Sequence, residues 1–265
     1  MYSDQSWGNV FAAELKRIVL RTKTLVALTL FALGAISITI GATSAMRWVA
    51  SQGGAEAQHL GQGFVGLGMA GSFVSFAVSL LCVSSTARDY RDGAAAATLV
   101  VVPNRVRLIS VRMAVWVLTS LVVTLVSLLP LALMYLGTYA QPSVAFAEVA
   151  CGVLGSCGLA LVAFACATLL KRGSLAMLGF LSIDILLPMV LSIAGGFAPG
   201  MLGTILSYIH NALPGQAADA VISITALTTG NSGPWVFGMV ALAAWTAASI
   251  VISHFSFAHY AGAQD

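Results

Sequence analysis

Few side chains in this 265-residue chain are of types that could do chemistry, and most of them are scattered. The four cysteines lack the Cys-x-x-Cys spacing of a redox or zinc site, and the four histidines show no metal-ligand spacing. The sequence contains neither a phosphate-binding glycine loop nor a Gly-x-Ser-x-Gly nucleophile motif. We therefore expect no metal site, no bound cofactor and no enzymatic activity in this chain.

Charge pairing is the chemistry that remains, and it is concentrated in Arg88–Arg112, RDYRDGAAAATLVVVPNRVRLISVR. This segment holds five of the 12 Lys and Arg residues, whereas residues 57–87 and 113–147 carry no formal charge. Gly93 permits a break, the run AAAATLVVV favours a short apolar helix, and Pro103 ends it. Such a unit is either a docking surface for a partner or a loop that lies on lipid headgroups.

Asp184 is a second residue of interest, because it interrupts an apolar stretch. It lies about eleven residues, or roughly 16 Å of helix, into that stretch. An unpaired charge at such a depth in a bilayer costs about 2.5–3.5 kcal/mol. Pro188 removes the amide that would bond to the Asp184 carbonyl, so we expect a kink beside a local polar spot. Asp184 either lines a cavity or makes a structural hydrogen bond to a neighbouring helix.

The elements that position these residues are predicted to be membrane helices. Hydrophobic residues make up 59% of the chain and charged residues 8%, with a mean hydropathy of +0.95, whereas a soluble domain carries roughly a quarter charged residues. A spanning helix needs about 20 apolar residues. The sequence therefore predicts an all-α integral membrane protein, a single transmembrane domain over 1–265 with six spans near 24–44, 63–85, 113–137, 149–170, 174–196 and 235–257.

The distribution of Lys and Arg predicts the orientation. With six spans, eleven of the 12 Lys and Arg residues fall on one side, and only Arg47 falls on the other. Both termini and the 88–112 loop are therefore predicted to be cytoplasmic. The segment 197–234, which has no Lys or Arg, is predicted to form extracellular re-entrant helices that break at an extracellular gate, Pro214 and Gly215.

The N-terminal stretch, at about 5–22, predicts an amphipathic elbow helix. Trp7, Phe11, Leu15 and Ile18 recur at near-helical spacing, and Glu14 lies at the edge of this apolar stripe. Such a helix lies in the headgroup layer and then turns into the first span. The alternative is a basic flank that only fixes the topology.

The segment 88–112 resembles the cytoplasmic loop of ABC-2 type permeases, the membrane subunits of bacterial ABC exporters. Ala94 stands where Thr is usual in that family, Arg112 stands where Lys is usual, and the acidic residue is Asp rather than the commoner Glu. The stretch ELKRIVLRTKTL, with Glu14 and Arg17, likewise resembles the Glu-x-x-Arg elbow helix of the family. The residues of the loop that match are Asp89, Tyr90, Arg91, Gly93, Leu99, Pro103 and Arg105.

This resemblance implies that the loop is a coupling helix that docks on a separate ATP-binding subunit, which binds ATP and Mg. It implies a multi-pass protein of the bacterial cell membrane (inner or plasma), in which two permease chains, identical or different, pair with two ATPase subunits. Asp184 and Pro188 are expected to lie on the pathway of a hydrophobic or amphipathic substrate, such as a drug, lipid or peptide. Beyond these subunits we expect contact with the lipid bilayer and none with nucleic acid.

Two other classes of protein fit the sequence less well. A transporter driven by an ion gradient would carry several ionisable residues inside its spans and an internal repeat, whereas we find one clear intramembrane carboxylate and no convincing repeat. A membrane scaffold or immunity protein that transports nothing is the third alternative. An ATPase that co-purifies with the chain would separate these classes.

Overall fold

The computed structural model describes residues 7–19, 22–52, 64–94, 98, 104–136, 142–223 and 232–260. Every element in this part of the chain is helical, which confirms the predicted all-α class. The elements are α1 (Trp7–Val19), α2 (Thr22–Gln52), α3 (Phe64–Arg91), α4 (Arg105–Leu136), α5 (Pro142–Leu170), α6 (Gly173–Leu181), a π-helical turn (Ser182–Leu186), α7 (Leu187–Phe197), α8 (Met201–Ala212), α9 (Pro214–Ile222) and α10 (Gly233–Tyr260).

Within the described residues, five stretches of helix are long and apolar enough to cross a membrane. In α2 the described apolar stretch, Thr29–Ile38, is shorter than a span, so the sixth span stays a prediction. The five stretches are Leu67–Arg91, Arg105–Leu133, Ser143–Leu170, Gly173–Phe197 and Gly233–Ala258.

The helices around the charged segment are longer than the predicted spans. Helix α3 continues to Arg91 instead of ending near residue 85, α4 begins at Arg105 instead of near 113, and α5 begins at Pro142 instead of near 149. The predicted ends were placed at the nearest charged residues. The helices continue past them because Asp89, Arg112 and Glu148 are buried inside the protein and do not face a lipid boundary.

The centre of the bundle is formed by α3, α4 and α5. The hydroxyl oxygens of Ser75 and Ser156 are 2.6 Å apart, and the Cys82 thiol donates to the Ala160 carbonyl at 3.5 Å, so α3 and α5 run parallel. The Ser256 hydroxyl donates to the Thr168 carbonyl at 2.8 Å, which places the ends of α5 and α10 together. The ends of α3, α5 and α10 thus lie at one end of the bundle, where α4 begins.

Three glycines on α5 let neighbouring side chains approach its backbone. A Cβ atom at Gly152 would lie 2.7 Å from a Leu128 methyl, and one at Gly155 would lie 2.8 Å from Ile222. At Gly158 the nearest atom, from Leu242, would lie at 2.8 Å. Small residues allow helices to pack this closely in a membrane. These contacts bring α4, α9 and α10 against one central helix.

A hairpin of two short helices, α8 and α9, lies beside α10. Leu213 is extended (φ −67°, ψ 148°) and separates the two helices. The indole N–H of Trp245 donates to the Ala212 carbonyl at 2.7 Å, and that of Trp235 donates to the Val221 carbonyl at 3.2 Å. Because Trp245 lies roughly 18 Å along α10 from its first residue, the break at Leu213 is level with the middle of α10. Helix α9 then runs back toward the start of α10.

Candidate functional sites, a charged junction and a central cavity

Four charged side chains from three helices form a continuous network, which we name the charged junction: Glu14, Arg17, Asp89 and Arg112. Arg17 contacts Glu14 at 2.7 Å (Nη2–Oε2) and Asp89 at 2.7 Å (Nη1–Oδ2). Arg112 Nε lies 3.2 Å from Glu14 Oε1. The junction ties α1 to the end of α3 and to the first turns of α4.

The charged junction extends into the loop between α3 and α4. Arg112 Nη2 donates to the Thr98 hydroxyl at 3.0 Å, and that hydroxyl donates to the Ala94 carbonyl at 2.8 Å. A movement of the loop at Thr98 would therefore act directly on Arg112 of α4.

The charged junction is largely closed to solvent. The side chains of Asp89 and Arg112 are each 4% exposed, that of Glu14 is 6% exposed, and that of Arg17 is 25% exposed. Two cations balance two anions, so the cluster has no net formal charge. Burial of such groups is tolerated because each charge has an opposite partner, and loss of one partner would leave a buried charge uncompensated.

Helix α1 packs on the bundle by a face that includes most of the predicted stripe, since Ile18 is buried and Phe11 and Leu15 pack against the core. Val10, Glu14 and Ile18 are buried at helical spacing, whereas Trp7 is 53% exposed. Glu14 was predicted at the edge of the apolar face and instead lies at its centre. It can be buried there because it pairs with two arginines. Trp7 lies under the guanidinium of Arg107, which is 5.1 Å from the ring centroid.

The predicted coupling residues separate into a buried and an exposed group. Asp89 and Tyr90 are buried, whereas Arg91 and Arg105 are exposed. Arg91 contacts its neighbour Asp92 at 3.1 Å. Leu99 and Pro103 lie outside the described residues. Of the described coupling residues, Asp89 lies in the charged junction, and Arg91 and Arg105 lie at the surface.

The α3–α4 loop begins at a glycine whose backbone favours a break. Gly93 has φ +71°, in the left-handed region that glycine adopts without strain. The α4 end of the loop is capped, because the backbone N–H of Arg107 donates to the Asn104 side chain at 3.1 Å. The loop between the two helices is thus residues 92–104, which is shorter than the predicted 88–112.

Arg112 is a site residue that sequence reasoning missed. It was noted only as a departure from the family pattern, yet it joins Glu14 and Thr98. The spacing of Arg112 relative to the apolar residues of α4 could have indicated this role. Leu108, Arg112 and Trp116 recur every four residues and all three are buried. A basic residue in register with buried apolar residues indicates a partner inside the protein.

A cavity of about 480 Å³ lies between α3, α5, the π-helical turn, α7 and the α8–α9 hairpin. Asp184 and Pro188, the two predicted pathway residues, both line it. The cavity also contains groups that sequence reasoning did not single out, notably Asp219 and His210. The remaining lining residues are Ser72, Phe76, Leu159, Ile185, Met189, Ser192, Gly215 and Gln216.

Pro188 shapes the backbone that presents Asp184. It lacks the amide that would bond to the Asp184 carbonyl, and residues 182–186 form a π-helical turn in which the Leu187 amide donates to the Ser182 carbonyl. Single π turns are frequent at functional sites because they re-aim one side chain within a helix. In the part of the chain that the structure describes, Asp184 Oδ1 is enclosed and accepts no hydrogen bond.

Pro214 and Gly215 lie inside the protein beside Asp184. Both are buried, and a Cβ atom on Gly215 would clash with Asp184 Oδ1 and lie 3.2 Å from its carbonyl oxygen. Gly215, one of the two residues predicted as an extracellular gate, thus lies against the residue predicted to line the pathway. The fold joins two candidate sites that the sequence presented separately.

Glu148 corrects the prediction of a single intramembrane carboxylate. It was taken as the border of the fourth span, but α5 begins at Pro142 and carries Glu148 inside an apolar stretch. The residue is 2% exposed. Within the described residues its Oε2 atom has no hydrogen-bond partner.

Two comparisons with known proteins gave no match. No protein-family model matches the chain, and no curated protein matches it significantly. The functional assignment therefore depends on the residues and contacts described above.

Proposed function

We propose that this chain is the membrane-spanning permease subunit of an ATP-driven ABC exporter of the ABC-2 type. It would cross a bacterial cell membrane six times, with both termini in the cytoplasm. The observation that supports this best is the charged junction, in which Arg17 and Glu14 of the N-terminal helix bind Asp89 and Arg112 on either side of the loop.

The charged junction gives the loop a route by which a partner can move the bundle. A subunit that pushed on residues 92–104 would displace Thr98, and with it Arg112 of α4. Arg17 and Glu14 would carry the same displacement to α1 and to Asp89 of α3. A loop whose only role was to fix the orientation in the membrane would need positive charge, but it would not need a buried network of paired charges.

The docking surface for the ATPase is the exposed part of the same loop. Arg91 and Arg105 are exposed and can pair with acidic groups of a partner. Leu99 is expected to supply apolar contact, which is worth about 1.5–3 kcal/mol when fully buried, against about 0–1 kcal/mol for an exposed ion pair. ATP and Mg would bind in two copies of that partner.

The cavity is the proposed substrate pathway, with α8 and α9 as re-entrant helices at its outer end. Ile185 and Met189, which line it, are 45% and 59% exposed. A face that carries Asp184 and Asp219 is costly against lipid. A second permease chain, identical or different, would cover this face and complete the pathway.

A transporter driven by an ion gradient is the second candidate, and one structural observation favours it. Glu148 is buried inside a long apolar helix, and intramembrane carboxylates are typical of proton-coupled transport. ATP depletion and a protonophore distinguish the two candidates, since only ATP depletion should stop an ABC exporter directly.

The exporter proposal is tested by recovery of the ATPase with the tagged chain from native membranes. Leu99→Asp should release the ATPase, whereas Leu99→Met, a matched apolar control, should retain it. Arg91→Ala should retain the complex but weaken the coupling of ATP hydrolysis to transport. Full recovery with Leu99→Asp at equal membrane expression would mean that the loop is a topology anchor.

A further inference from the structure

We propose that the cavity beside the π-helical turn binds a lipophilic organic cation, with Asp184 and Asp219 as its counter-ions. This names the substrate class of the proposed exporter and in that respect rests on the proposed function. The residues from which it is argued all belong to this chain. A cavity of about 480 Å³ is within the range that holds a drug-sized molecule, roughly 300–1,000 Å³.

The charge of the cavity is one-sided. Two carboxyl groups and one titratable base, His210, line it, and none of its described lining residues is Lys or Arg. Asp184 and Asp219 come from different elements, the π-helical turn and α9, and both line the same cavity. The fold therefore brings two like charges together at one cavity, and a bound cation would relieve their repulsion.

Their surroundings in the protein do not neutralise them. Among the described residues, no ion pair joins a Lys or Arg to Asp184 or Asp219. Ser72 also lines the cavity, but a hydroxyl supplies no charge. Asp184 Oδ1 is enclosed without a described hydrogen-bond donor. Gly215 is the residue that leaves room for this oxygen.

The rest of the lining selects an organic cation over a metal ion. Phe76, Leu159, Ile185, Pro188 and Met189 give the cavity an apolar wall. The ring of Phe76 stacks on Phe180 with centroids 6.3 Å apart, which fixes an aromatic surface beside the carboxylates, and aromatic faces attract cations. A hard metal ion needs about six oxygen ligands and far less space. A bound amine or phosphonium with an apolar body would place its charge near the carboxyl groups and its body against the apolar wall.

The test uses two probes of nearly equal size and opposite charge, tetraphenylphosphonium and tetraphenylborate. Binding of each to the purified full-length chain in lipid nanodiscs is measured by equilibrium dialysis, with empty nanodiscs subtracted. We expect saturable binding of the phosphonium and only background retention of the borate. Equal binding of both probes would show that the cavity does not select charge and would overturn the proposal.

Substitutions assign the binding to the two carboxylates. Asp184→Asn and Asp219→Asn keep the side-chain shape and should each weaken phosphonium binding about tenfold or more, because each removes a close charge of opposite sign. Asp92→Asn, in the exposed loop, is the matched control and should leave binding unchanged. Unchanged affinity in the Asp184→Asn/Asp219→Asn double variant would overturn the proposal.

A second measurement needs no substitution and covers the case in which the variants fail to fold. A hydrophobic carbodiimide labels carboxyl groups in apolar surroundings, and peptide mass mapping locates the label. Tetraphenylphosphonium should protect Asp184 and Asp219 of the unaltered chain, and tetraphenylborate should not. Equal labelling with and without the phosphonium would contradict the proposal.

The outcomes separate this inference from the exporter assignment. Phosphonium binding without recovery of an ATPase would leave the cation site in place and remove the exporter proposal. Recovery of an ATPase with no phosphonium binding would leave the exporter proposal in place and remove the cation site. Binding and recovery together would support both.

Discussion

Arg17 of α1 lies 2.7 Å from Asp89 of α3, and Asp89 is 4% exposed. This contact fastens the N-terminal amphipathic helix to the end of a long apolar helix, beside the loop proposed to meet the ATPase. Helix α1 is therefore not a surface helix held by apolar contacts alone. It shares a buried charge network with the bundle, and this predicts how the bundle responds when single charges are removed.

The charged junction should show strong non-additivity. Arg17→Met removes the ion pairs of Arg17 with Glu14 and Asp89, while Glu14 keeps its contact with Arg112. We expect a loss of about 3–5 kcal/mol in unfolding free energy. Adding Asp89→Asn removes the surplus negative charge, so the double variant should be more stable than Arg17→Met alone. The coupling, roughly 0.5–3 kcal/mol, is measured by denaturant titration of the chain in detergent.

Arg91→Met is the control for the charged junction. The side chains of Arg91 and Asp92 are 70% and 50% exposed, so the change in stability should not exceed about 1 kcal/mol. If Arg17→Met is as mild as Arg91→Met, the junction does not hold α1 in place.

Gly215→Ala should loosen the α8–α9 hairpin, since the added methyl group would clash with Asp184 Oδ1. Overpacking of this kind costs about 1–3 kcal/mol. Gly196→Ala is the matched control, because a Cβ there has nothing within 4 Å, and it should be neutral or slightly stabilising. The midpoint of thermal unfolding measures both, and a neutral Gly215→Ala would show that α9 does not rest against Asp184.

Pro188→Ala should change transport without loss of stability. The new amide can bond to the Asp184 carbonyl and return residues 182–186 to α-helical geometry, which re-aims Asp184. Helix propensity favours Ala over Pro by about 3 kcal/mol within a helix. We expect an equal or higher unfolding midpoint together with reduced export. A variant with unaltered export would argue that the π-helical turn has no role in the pathway.

The predicted topology can be tested with two conservative substitutions at exposed positions, Ser174→Cys in the first turn of α6 and Ser232→Cys before α10. In a chain without its four native cysteines, a membrane-impermeant maleimide should label position 232 on intact cells and position 174 only after lysis. Ala217, in the segment predicted to be extracellular, is fully buried and is therefore unsuitable for labelling. Labelling of position 174 on intact cells would contradict the six-span orientation.

The sequence by itself determined the class of fold and the places where helices break. The low charge content predicted apolar helices throughout, and five of them are long enough to span a membrane. Gly93, Pro188 and Pro214 mark breaks or distortions that the structure contains. These features are local, because hydropathy and the backbone limits of glycine and proline act within a few residues.

The tertiary structure alone decided which charges meet. Glu14 reaches Arg112, Asp184 lies against Gly215, and Glu148 is buried inside a helix whose start was placed too late. Helices α3, α4 and α5 are apolar on nearly all faces, so periodicity does not say which face turns inward. Only the packing of complete helices fixes their rotation, and that rotation decides whether a charged residue marks the end of a span or a partner inside the bundle.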